Sequence, residues 1–143
     1  GITILFIISF GLFMNKYFRE DCDTYGTFAS DLEEVMQYAK ELADNSDKEI
    51  YITNDINYIY VLYYTQYNTE DYIKTVDYED EYVEFRQVNS FGNYYFKNID
   101  KIEVDDNRAY IIKKDDLDKY EINDESVKIT EFKKYVIIES KEN

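Results

Sequence analysis

The sequence predicts an α/β (or α+β) fold: one mixed β-sheet with the helices of the N-terminal half packed on it, behind the end of a transmembrane helix. Three observations carry this. Apolar residues recur at helical spacing from Phe28 to Ala43. Short β-branched and aromatic runs crowd the second half of the chain. And Ile2 to Met14 (ITILFIISFGLFM) carries no charge, whereas the rest is acidic and rich in tyrosine.

The hydrophobic run sets the domain reading. Ile2 to Phe18 supplies 17 residues, if Asn15 and Lys16 are taken at its end, against the ~20 that a spanning helix needs. A chain that opens at Gly1 inside such a run is expected to be cut from something longer, with residues 1–18 as the end of its last membrane helix. Tyr17 and Phe18 then fall at the interface, where aromatic rings collect, and Lys16 can snorkel to the headgroups. A signal-peptide core is one alternative, although the basic leader and small-residue cleavage site are missing. A buried helix of the domain is another. Residues 19–143 are expected to form a single soluble domain, a size that buries roughly two-thirds of its unfolded surface.

The first helix comes after the tether. Phe28, Leu32, Val35, Met36, Ala39, Leu42 and Ala43 share one face, and Ser30 with Glu33 forms a capping box. Asn45 stops it. Glu49 to Thr53 (EIYIT) reads as a strand. Asn54-Asp55 can cap the next element. Ile56 to Tyr64 (INYIYVLYY) matches a helix stripe, whereas its β-branched and aromatic content favours a buried strand; as a helix it is expected to cover the side of the sheet to which Tyr51 and Thr53 point. Asn68-Thr69-Glu70-Asp71 starts another helix, which carries Tyr72 and Ile73 inward.

The remainder reads as strands. Tyr82 to Val88 alternates, and Asn93 to Phe96 follows Gly92, which permits a turn or a bulge. Lys101 to Val104 and Arg108 to Lys113 flank an Asx-type turn at Asp105-Asp106-Asn107, which predicts a hairpin. Asp115 to Tyr120 makes one helical turn. Val127 to Phe132 and Tyr135 to Glu139 close the sheet.

Composition excludes several functions. A formal net charge of −15 argues against nucleic acid as a partner, because phosphate neutralisation needs a basic surface. The same charge argues against electrostatic docking on anionic lipid, so membrane contact is expected through the N-terminal helix. Zero His removes the commonest general base and metal ligand. The lone Cys22 cannot form an internal disulfide. Carboxylate runs such as Asp115-Asp116-Asp118 read as solvated faces, and no nucleophile–base set or phosphate-binding loop is present. Neither Asp105-Asp106-Asn107 nor Asp44-Asn45-Ser46-Asp47 matches a calcium loop. The sequence therefore offers no catalytic residue, no metal site and no cofactor. Its one binding feature is tyrosine: Tyr58, Tyr64 and Tyr67, exposed together, could stack on a sugar or meet another protein.

The succession of elements resembles the C-terminal soluble domain of bacterial polytopic glycosyltransferases, the dolichyl-phosphate-mannose-protein mannosyltransferase-like enzymes, relatives of the transferases that move aminoarabinose onto lipid A. The resemblance rests on Asn15-Lys16-Tyr17-Phe18, on the helix with Phe28, Leu32 and Tyr38-Ala39, and on Glu49 to Thr53. Tyr58 to Tyr64, Tyr72 to Val76, Val88 to Phe96 and, more weakly, Ala109 to Lys113 continue it. It implies that Tyr58 to Tyr64 is helical. It also implies a parent that transfers a sugar from a polyprenyl-phosphate carrier to a protein or cell-envelope acceptor outside the cytoplasm. Catalytic acids in that family lie in loops between early membrane helices, so none is carried onto this chain. The domain would shape or cover the acceptor site, or stabilise the enzyme. The reading from a different class is a stand-alone membrane-anchored extracytoplasmic binding or sensor module.

Overall fold

The computed structural model describes residues 1–17, 31–80, 82–83, 86–103, 105–122 and 126–141. The chain divides into two compact units, residues 1–31 and 32–143. The domain boundary expected at residues 18 and 19 lies outside the described residues, as do Phe28, the Ser30 half of the capping box and Cys22.

In the first unit, helix α1 runs Ile2–Tyr17. Apolar side chains lie on every face, those from Ile2 to Phe13 are exposed, and Phe6 stacks on Phe10 at 6.3 Å. Its 16 residues span about 24 Å at 1.5 Å per residue. Among the described residues no helix is long and apolar enough to cross a membrane.

The second unit is an α/β domain built on one mixed seven-stranded sheet. Helix α2 (Leu32–Ser46) leads into β1 (Glu49–Ile52), followed by α3 (Tyr58–Thr65) and α4 (Thr69–Thr75). Then come β2 (Asp77–Tyr78), β3 (Val88–Phe91), β4 (Tyr94–Phe96) and β5 (Arg108–Lys113). A 3-10 helix (Lys114–Lys119), β6 (Val127–Glu131) and β7 (Tyr135–Ser140) complete it. The strand order is β2-β3-β4-β1-β5-β7-β6. β1 lies at the centre, parallel to β4 and β5; the outer pairs are antiparallel.

Two-residue alternation gives the sheet two different faces. Ile50 and Ile52 point to one, and register adds Tyr94, Ala109, Ile111 and Ile137. Helix α2 covers this face with the stripe read from the sequence: Leu32, Val35, Met36 and Ala39 are buried, and α2 contacts β1, β7 and α3. The helix ends where Asp47 takes a left-handed φ of 51°. The opposite face carries Tyr110, Ile112, Val136 and Ile138, packed with Val127, Ile102, Leu117 and Tyr120. Here the residues covering the sheet are not on a regular α-helix: Ile99 and Ile102 come from the segment after β4, and Leu117 from the 3-10 turn.

Local chemistry explains the short elements. Asn57 caps α3, its side chain accepting from Ile59 N–H, and Gln66 closes the helix in the left-handed region with its N–H on Leu62 and Tyr63 carbonyls. Helix therefore wins at Tyr58–Thr65, and the cap is Asn57 rather than Asn54-Asp55. Asn68 caps α4 by accepting from Glu70 and Asp71 N–H. Gly92, at φ +49°, takes the first loop position of the two-residue β3–β4 turn, a position that glycine fills without strain.

Four expectations fail. Helix α3 does not cover the Tyr51 face: Gln37 of α2 donates to the Tyr64 carbonyl, and Tyr67, just past α3, packs on Phe91 and Tyr94, so α3 shares the face of α2. Ile73 is exposed rather than inward, because α4 lies on the rim and buries no residue. Tyr82, Val83, Arg86 and Gln87 are outside any strand; the pairing starts at Val88, and Asp77–Tyr78 supplies its partner. Lys101 to Glu103 forms no hairpin with β5, since β1 and β7 already occupy both edges of β5.

Candidate functional site

A cleft of about 840 Å³ in the second unit opens at the carboxyl ends of β1 and β4. Parallel strands end here side by side, and open α/β sheets place ligands in the crevice beyond such ends. Two loops build its floor. The loop after β1 is fixed by Thr53 N–H donating to Ile111 O at 3.1 Å, by Ile56 N–H donating to Thr53 O at 3.0 Å, and by the buried Ile56 side chain. The loop after β4 is tied to it by the Asn54 Nδ2 to Asn98 Oδ1 hydrogen bond of 2.8 Å. Lys113 Nζ holds Asp55 at 2.8 Å. That contact raises the Lys113 pKa, chiefly through the hydrogen bond.

The opposite wall is the β2–β3 hairpin. Glu79 N–H donates to Gln87 O at 2.9 Å, and Asn89 Nδ2 donates to Asp77 Oδ2 at 3.0 Å. The Arg86 guanidinium lies 5.2 Å from the Tyr78 ring centre, within cation–π range. Tyr58 and Phe96 add aromatic surface. Amides thus alternate with rings: Asn54, Asn57, Asn89 and Asn98 line the same space as Tyr58, Tyr78 and Phe96. Paired amide donors and acceptors beside flat apolar rings suit a ligand that is polar at its edges and apolar on its faces.

The three tyrosines singled out in the sequence do not converge. Tyr58 lines the cleft and lies parallel to Tyr72, 6.5 Å away at an interplanar angle of 2°. Tyr72 is held protonated above its ordinary range, chiefly by burial and then by hydrogen bonding to Tyr78. Tyr67 is a packing residue, edge-on to Phe91 at 5.0 Å and close beneath Gly92. Tyr64 meets Tyr63 edge-on at 5.1 Å, and neither Tyr64 nor Tyr67 lines the cleft. The sequence reading missed Asn98, Asn89, Arg86 and Tyr78. The available signal was the clustering of Asn beside strand ends, which local turn chemistry also explains.

A smaller cleft, about 300 Å³, flanks a tyrosine stack on the opposite sheet face. Tyr51 lies between Tyr95 and Tyr110, 5.2 Å from each. Burial, then its hydrogen bond to Glu49, raises the Tyr51 pKa to about 12. Lys97 borders both clefts, its Nζ 4.9 Å from the Tyr51 ring centre. Among the described residues no group of three or more His, Cys, Asp or Glu could hold a metal ion.

Comparison of the chain with protein-family models, with curated proteins and with solved structures gave no match.

Proposed function

We propose that this chain is the C-terminal extracytoplasmic accessory domain of a membrane glycosyltransferase, one that moves a sugar from a polyprenyl-phosphate donor to a protein or cell-envelope acceptor. Its cleft holds part of the glycan acceptor and does no chemistry itself. The observation that carries the reading is the lining of the cleft: four asparagines and three aromatic rings in about 840 Å³. A sugar ring presents hydroxyls at its edge and C–H groups on its face, which is what amides and rings respectively accept. Helix α1, which carries apolar side chains on all sides, supports attachment at the cell membrane. The second unit then lies outside that membrane.

Calorimetric titration of the full 143-residue chain with neutral and acidic oligosaccharides tests the proposal. Saturable binding that Tyr58→Ala and Asn98→Ala each weaken at least tenfold supports it. Binding to no member of the panel, or binding that neither substitution alters, overturns it.

A further inference from the structure

The sheet ends on two strands that meet solvent differently: β2 on one side and β6 on the other. Strand β2 is two residues long, and its register shifts between Asp77 and Tyr78. Short length and irregular pairing stop a sheet edge from recruiting another strand. Strand β6 has five residues (Val127–Glu131), pairs with β7 without a register shift and contains no proline. The hydrogen bonds beyond its two ends show which way its backbone groups point. Lys141 N–H donates to Ser126 O at 3.0 Å, and Phe132 N–H donates to Tyr135 O at 2.9 Å. Antiparallel bonding alternates along a strand, so Lys128 and Thr130 also face β7, whereas Val127, Ile129 and Glu131 turn their N–H and C=O groups outward. Among the described residues nothing bonds to those outward groups. Nor do bare charges guard this edge: Lys128 Nζ lies 3.0 Å from Glu139, and Lys114 pairs with Glu131.

We infer that β6 is a docking edge for a second copy of this chain, the two β6 strands pairing antiparallel about a two-fold axis at Ile129. The contact is separate from the glycan cleft and does not depend on it. A two-fold contact uses the same surface on both copies, so that surface must complement itself. In this register Ile129 meets its own copy and Val127 meets Glu131 of the second copy, which satisfies every outward N–H and C=O group of both strands. On the other face of the sheet, Lys128 stands opposite Thr130 of the second copy. No like charges are opposed. Sliding the register by one outward position sets Lys128 or Thr130 against its own copy and leaves outward groups unpaired, so the strand's own pattern selects the register centred on Ile129. Side chains agree. Ile129 packs on the apolar cluster of Tyr110, Ile112, Val136 and Ile138, and the Ile129 pair extends that cluster from one copy to the next. Charge agrees as well. Residues 126–141 hold Lys128, Lys133, Lys134 and Lys141 against Glu131 and Glu139, in a chain of net charge −15. Each copy thus presents a net-basic hairpin to a strongly acidic molecule.

The test is sedimentation of the full chain in detergent micelles, which solvate the apolar α1, over a range of protein concentrations. The inference predicts a concentration-dependent equilibrium between monomer and dimer. Glu131→Pro deletes one outward N–H and no bond to β7, and should weaken the dimer at least about tenfold. Thr130→Lys keeps every backbone group and sets lysines opposite each other across the edge. It should weaken the dimer as well, and it decides the matter if circular dichroism shows that Glu131→Pro does not fold. With the native Cys22 replaced by Ser, Ile129→Cys should form a disulfide with its own copy on mild oxidation, because directly opposed residues of such a pair lie about 5.5 Å apart at Cα. Thr130→Cys, off the axis, should cross-link more slowly. Monomer at every concentration overturns the inference. A dimer that neither Glu131→Pro nor Thr130→Lys weakens also overturns it, since association then lies elsewhere, α1 included. Faster cross-linking at Thr130→Cys than at Ile129→Cys overturns the pairing about Ile129.

Discussion

Glu139 should be the most costly single charge to remove from the second unit. Its side chain is 5% exposed, and its Oε2 lies 3.0 Å from the ammonium of Lys48, which is 4% exposed. Its Oε1 accepts from Tyr38 at 2.7 Å and from Lys128 at 3.0 Å. Glu139→Gln deletes the charge and leaves the Lys48 ammonium buried without a counter-ion. Breaking a buried pair this way costs about 3–5 kcal/mol, because the stranded charge has lost its water. Lys48→Met removes the buried cation instead. Glu139 then keeps Tyr38 and Lys128, so the loss should be about 1.5–3 kcal/mol, the range for one hydrogen bond to a charged group. Lys128 is 56% exposed, and Lys128→Met should cost no more than about 1 kcal/mol. Urea unfolding with a shared m-value reads all three. A Glu139→Gln loss below about 1 kcal/mol, or a Lys128→Met loss equal to that of Lys48→Met, would refute the claim that burial of Lys48 sets the energetics.

Other expectations rest on separate parts of the fold. Leu32 is buried on α2 and Glu33 is exposed; in urea, Leu32→Ala should cost about 2–5 kcal/mol and Glu33→Ala within about 0.5 kcal/mol. Gly92 sits at φ +49°, and a Cβ there would run into the Tyr67 ring. Gly92→Ala should therefore lower stability by at least the ~1–2 kcal/mol cost of a left-handed L-residue, measured in the same way. Stability should also fall in acid. Burial pulls the Glu139 pKa up, but hydrogen bonds from Tyr38, Lys48 and Lys128 outweigh it and hold the pKa below the ordinary value. The stabilisation is thus complete above the unfolded carboxylate range near pH 4.3 and is lost as pH drops through the folded value. A pH series of urea midpoints should show this loss, and Glu139→Gln should flatten it.

How far the sequence foretold this structure depends on how local each signal is. The α2 stripe and EIYI were legible because 3.6- and 2-residue periods are written into adjacent residues. At Gly92 the sequence marked a turn or a bulge, and the structure makes it the β3–β4 turn. INYIYVLYY was not decidable from local pattern, since bulky aromatic and β-branched residues suit a buried strand as well as a helix. The Asn57 cap and the left-handed close at Gln66 settle it. Lys101 to Glu103 was misread because alternation reports exposure on two sides, not which strand is beside which. β5 had better partners in β1 and β7, distant in sequence. The cleft was least legible of all. Asn54 and Asn98 come from two separate loops and Asn89 from β3, and only the parallel pairing of β1 with β4 brings those two loops together.

The most direct test of the glycan cleft is amide NMR of the full chain during titration with the tightest-binding oligosaccharide of the panel. The cleft reading predicts saturable shifts confined to Asn54–Tyr58, Arg86–Asn89 and Lys97–Asn98, with Tyr64 and Lys128 unmoved. Shifts centred on any other surface, or none at saturating ligand, would contradict it.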